Sequence, residues 1–186
     1  MHLAMYLTKG TGWNMIEFLQ GKWLKHPLHP ALVHVPTALW PAAFAFDLLS
    51  QLRADNALVQ LSFYSIFLGL LAALLAIPTG FADWTDIRRE KPAWKLGLYH
   101  MLLNVIITLL WGVNLILRVP TFQSDEVVSV GLIWLSGLAT LLLLVSGYLG
   151  GRMIYAYGIN VARLSKKKWR KIAQAAGAAA PPKKGK

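Results

Sequence analysis

Apolar side chains run almost unbroken through four stretches, roughly 30–51, 57–80, 96–117 and 128–150, and polar residues gather between them. Each stretch reaches the ~20 residues a helix needs to cross the hydrocarbon core of a bilayer. Lipid offers no partner to a free backbone N–H or C=O, so each stretch must be helical. The connectors "QLRADN", "WTDIRREKPAW" and "RVPTFQSDEV" are short, which makes successive spans antiparallel neighbours. The pattern predicts an all-α polytopic membrane protein, an up-down-up-down bundle of four transmembrane helices. Ahead of the bundle, Trp13, Ile16, Leu19, Trp23 and Leu24 recur near helical spacing. They predict an N-terminal interfacial helix over 12–24. Glu17, Gln20 and Lys22 interrupt that stretch and argue against a cleavable signal. Three parts result: an amphipathic, interfacial segment at 1–25, a four-helix domain at 26–155 and a basic tail at 156–186.

Composition agrees with the pattern. The chain is 56% hydrophobic and 15% charged over 186 residues, a balance expected of a membrane protein. It has no cysteine. That excludes disulfides, cysteine-held iron–sulfur clusters, thiolate catalysis and covalent c-type haem attachment. Seventeen of the nineteen basic residues fall in the N-terminal arm, the second connector and the segment after span four. Arg53 and Arg118 alone fall on the other side. Basic residues collect on the cytoplasmic face, so both termini are expected there. The tail "RLSKKKWRKIAQAAGAAAPPKKGK" is basic and low in complexity, as expected of a segment held to anionic lipid. Nucleic acid is the weaker reading of the same charge.

The candidate chemistry lies in histidines and in polar residues placed within spans. "KHPLHPALVHVP" at 25–36 carries three histidines and three prolines. Pro30 suits a first helical turn, and Pro27 and Pro30 push His26 and His29 toward extended geometry. His34 then lies ~6 Å inside the span. Pro41 removes a hydrogen bond to the Thr37 carbonyl and is expected to kink span one. On span three, with His100 at zero and 100° per residue, Asn104 falls at about +40°, Thr108 at about +80°, Trp111 at about +20°, Asn114 at about −40° and Arg118 at about 0°. Such a polar stripe should face the bundle interior.

Spans one and three run in the same direction and should lie diagonally. His34 and His100 should then sit at similar depth. Two opposed imidazoles can ligate a haem b iron, with Asn104 or Thr37 holding a second ring nitrogen. Simple hydrogen bonding of each ring within the bundle accounts for the same residues, as does a quinone pocket. His26, His29, Asp83 and Asp86 could form a polar cluster, and with His34 they could hold a metal ion. Asp47 and Arg118 could pair near the outer face. Spans two and four carry small residues at Gly69, Ala73, Ala76 and Gly80, and at Gly137, Thr140, Gly147 and Gly151. Those faces suit close helix packing or room for a flat ligand. No nucleophile–base pair is evident, so no independent enzyme chemistry is expected.

"HPLHPALVHVP", "FDLL", "GLLAALLAIPTGFADW", "HMLLNVIITLLWGVNLILR" and "SGYLGGRMIYAYGINV" occur in that order over 26–161. In this the chain resembles a family of four-helix bacterial inner-membrane proteins of unknown function. The resemblance implies carry-over of His26, His29, His34, Asp47, Asp83, His100, Asn104 and Arg118. Some members of that family are linked to Rieske or cytochrome modules, which implies a respiratory setting with other membrane subunits or redox proteins as partners. The leading expectation is an inner-membrane subunit of a redox complex that binds one haem for electron transfer. The alternatives are a cofactor-free assembly subunit and a metal or proton carrier.

Overall fold

A computed structural model describes residues 14–53, 55–123, 127–161 and 165–177. Trp13, Arg163 and the 178–186 end of the tail lie outside the described residues. Those described form six α-helices and one short 3-10 turn, with no strand among them.

Four of the helices are long and apolar enough to cross a membrane. They are α2 (Leu28–Arg53), α3 (Asn56–Thr85), α4 (Pro92–Gln123) and α5 (Val130–Tyr155). All four outrun the apolar stretches at one or both ends, because local caps and first-turn prolines, not hydrophobicity, set the boundaries. Asp55 caps α3 by accepting from the Ala57 amide at 2.9 Å. Pro92 opens α4, where its missing N–H costs nothing. The residues after 80, where the second apolar stretch ends, are still helical. α3 passes through Pro78 to Thr85, so Asp83 and Trp84 belong to its last turn.

The start of α2 also differs from expectation. The helix begins at Leu28, not Pro30, so His29 is helical while His26 precedes the helix. Proline is tolerated here because the first amides of a helix lack partners in any case. The shift carries His29 onto the inward face.

The interfacial segment is two pieces. Helix α1 covers Met15–Leu19 and is closed by a capping box between Asn14 and Glu17. Gly21, at φ 74°, then turns the chain. A Cβ there would collide with the His26 carbonyl, so glycine is required by position as well as by angle. The 3-10 turn Lys22–Leu24 follows. Gln20 ties this segment to the end of α3, donating to the Ala82 carbonyl at 3.0 Å and the Asp86 carboxylate at 2.8 Å. It is docked on the bundle as well as amphipathic.

In the bundle, α2 packs on α3 and α5, and α4 packs on α3 and α5. The spans α2 and α4 therefore face each other diagonally. Their meeting point is the stacked pair Trp40 and Trp111, with ring centroids 5.6 Å apart and 21° between planes. Ala43, Ile66, Ala73, Ile107, Ala139 and Leu143 fill the core around the rings. Gly69 admits the Trp40 ring against α3, and Gly137 receives the Phe44 ring on α5. The small residues thus make room for large rings of α2 more than for backbone-to-backbone contact. Large apolar side chains such as Leu74, Leu109 and Leu144 point outward, as a lipid-facing surface requires.

Helix α6 (Lys166–Ala175) follows the bundle, with Ser165 as its cap.

Candidate functional site

A cavity of about 540 Å³ occupies one end of the bundle, where α2 and α4 begin and α3 and α5 end. Trp40 forms its floor, and the dry tryptophan core lies beyond. Its walls are largely apolar, and His29, His34 and His100 all line it. Roughly 300–1,000 Å³ is the usual size of a small-molecule or cofactor site.

Two of the three imidazoles are fixed in the same way. His29 Nδ1 lies 3.0 Å from the Ala76 carbonyl of α3. His100 Nδ1 lies 3.0 Å from the Ser146 carbonyl of α5. A carbonyl can only accept, so each Nδ1 carries the proton and each Nε2 keeps its lone pair. A backbone carbonyl holding the far nitrogen in this way is the arrangement found behind metal-ligating histidines. Glycines make it sterically possible. A Cβ at Gly80 would lie 2.7 Å from His29 Cε1, and one at Gly150 would lie 3.1 Å from His100 Cε1.

Asn104 completes the His100 arm. Its side-chain amide donates to the His100 carbonyl at 2.7 Å and to Ser146 Oγ at 2.6 Å, and lies 3.2 Å from His100 Nε2. It therefore touches the ring nitrogen that a ligand would use, while Nδ1 is held by Ser146. Thr37 does not hold the His34 ring. Its hydroxyl donates back to the Val33 and His34 carbonyls at 2.8 and 3.0 Å. His34 is exposed at the cavity's edge, and its ring makes no hydrogen bond among the described residues.

The His26, His29, Asp83 and Asp86 cluster is not drawn together. His26 is exposed beside its neighbour's carbonyl, Asp83 accepts from Asn160 at 2.6 Å, and Asp86 accepts from Gln20. Among the described residues no group of three His, Asp or Glu is placed to share a metal ion.

Beyond the tryptophans lies a second polar site, sealed from solvent. Arg118 meets Asp47 through two bonds of 2.7 and 2.9 Å, and both side chains are fully buried. Ser62 and Ser136 donate to the two carboxylate oxygens at 2.6 and 3.0 Å. Asn114 accepts from Arg118 Nε at 2.9 Å and donates to the Leu132 carbonyl at 3.1 Å. One side chain or more from each of the four spans takes part, and every charged atom is satisfied.

Asp47, Asn114 and Arg118 stand out in the sequence, whereas Ser62, Ser136 and Ser146 do not. Serine is too nearly neutral in hydropathy to stand out in an apolar run. Their signal was their position on inward faces, which depends on helix rotation.

Together these features define the class: a polytopic membrane protein whose four helical spans enclose a histidine-lined cavity at one end and a buried ion pair toward the other. The chain belongs to the family described as "Predicted membrane protein (DUF2231)", whose model matches residues 25–163. Searches of curated proteins and of solved structures returned no match.

Proposed function

We propose that this protein is an integral subunit of a bacterial inner-membrane redox complex, and that its cavity holds one b-type haem between α2 and α4. The observation that carries this reading is the matched pair His29 and His100. They stand on diagonal helices, each with Nδ1 bound to a carbonyl of the neighbouring helix; Nε2 of His29 is left to ligate, and at His100 the long 3.2 Å contact from Asn104 to Nε2 is the one an iron would replace. His29 replaces His34 as the span-one partner because its ring is fixed, while the His34 ring is exposed and unheld.

The residues present fit such a group. When bound, the haem would supply one-electron chemistry. The chain's own contribution is positional and electrostatic. The Ala76 and Ser146 carbonyls orient the imidazoles and raise their basicity. Glycine at 80 and 150 gives the rings space. Trp40 closes the floor against water, and the apolar walls lower the local dielectric. Both termini lie on the cytoplasmic side in this reading, which follows from the basic residues around the cavity end. Electrons would pass to or from other membrane subunits or redox proteins. The basic helix α6, with Lys167, Lys168, Arg170 and Lys171, would rest on anionic lipid.

The deciding experiment is the optical spectrum of purified protein, oxidised and reduced, after expression with supplemented haem. A Soret band that shifts on reduction is expected. Its absence would leave the cofactor-free assembly subunit as the reading.

A further inference from the structure

The four spans do not close evenly around the cavity. At the cavity end, α2 leans on α3, through His29 to Ala76 and against Gly80. There α5 leans on α4, through Ser146 to His100 and Asn104. The α3–α4 side is shut by Trp84. Its indole donates to the Trp94 carbonyl at 3.0 Å and lies against Gly97.

Among the described residues the α2–α5 side has no such closure. These helices touch at the far end, where Phe44 lies against Gly137, but a Cβ at Gly147 or Gly151 would meet nothing within 4 Å. Both glycines line the cavity, as do His34 and Thr37 on the facing edge of α2. Gly147, His34 and Thr37 are also exposed. The bundle is therefore two helical hairpins that part between α2 and α5, and the gap opens sideways, toward lipid.

From this we infer that the gap is a lateral portal for a prenyl quinone, with His34 as the donor to a quinone carbonyl. His34 sits six residues into α2, about 9 Å along it by the helical rise. That position lies inward of the first turn of the span and favours a ligand that dissolves in the bilayer over a phospholipid headgroup, which prefers the interface. An acyl chain has no use for an imidazole there. A neutral carbonyl acceptor on a long apolar tail satisfies both the ring and the surrounding lipid. Glycine lines the gap on α5, and the Trp40 ring lies at its inner end. The inference deepens the haem reading by naming a membrane-dissolved partner, yet it concerns binding alone and holds for the haem-free chain.

The test uses the full-length protein in phosphatidylcholine–phosphatidylglycerol nanodiscs and an azido-benzoquinone with a prenyl tail. Illumination should label peptides containing residues 34–37 or 147–154, and unlabelled quinone should compete. Gly147→Leu and His34→Ala should each lower the competable labelling at least fivefold. Gly112→Leu, equally open but outside the cavity, should leave it unchanged. Labelling that unlabelled quinone does not reduce, or that ignores Gly147→Leu, would overturn the portal. The Soret band of the same samples reports the haem reading separately. Haem without competable labelling defeats the portal alone; labelling without haem defeats the haem reading alone.

Discussion

Asp47 and Arg118, 71 residues apart in sequence, form a two-bonded ion pair in which neither side chain is exposed at all. Each lies seven residues beyond a tryptophan of the stacked pair, Trp40 and Trp111. Two helical turns therefore separate an aromatic layer from an ionic one on both diagonal helices. The ionic layer joins all four spans, and the aromatic layer divides it from the cavity. The cavity end can thus be open while the rest of the bundle is fixed.

Breaking the ion pair from one side should be costly. Asp47→Ala or Arg118→Ala leaves a buried charge without its partner, a loss of about 3–5 kcal/mol. Replacing both with apolar residues, as in Asp47→Leu with Arg118→Met, should recover part of that loss. Unfolding of the purified protein in detergent, compared across the two single variants and the pair, measures it. Equal, additive losses would show that the charges do not act together.

The glycines should divide into two classes. Gly69→Ala forces a methyl against the Trp40 ring and should destabilise by about 1–3 kcal/mol. Gly112→Ala meets open space and should be neutral or stabilising by up to about 1 kcal/mol, from helix propensity. The same unfolding assay reads both.

The histidines should separate by spectrum. His29→Ala and His100→Ala should each abolish or shift the Soret band. His34→Ala and His26→Ala should leave it in place, since neither ring is held against the cavity by a carbonyl of another span. Loss of the band in His34→Ala with retention in His29→Ala would restore His34 as the ligand.

Orientation can be read directly because the chain has no cysteine of its own. A single cysteine at Lys91 should react with a membrane-impermeant thiol reagent only from the cytoplasmic side. One at Arg53 should react only from the opposite side. The reverse pattern would invert the protein and move the cavity to the outer face.

The number of membrane spans, their approximate limits and the diagonal relation of α2 and α4 are legible in the residues alone. Those features follow from local rules: a run of about twenty apolar residues must be a helix in lipid, and short connectors force antiparallel neighbours. The polar stripe of α4 was legible for the same reason, since Asn104, Trp111, Asn114 and Arg118 lie on one arc of a single helix. What tertiary structure decided was which partners that stripe meets. Starting α2 at Leu28 made His29 helical and turned it toward Ala76, with His34 at the edge. A single residue of register rotates a side chain by about 100°, and hydrophobicity alone does not specify such a rotation. The serines beneath Asp47 and His100, the space at Gly147 and the docking of Gln20 on α3 likewise exist only between helices. Contacts of that kind depend on how four helices turn against one another, whereas each span is set by its own apolarity.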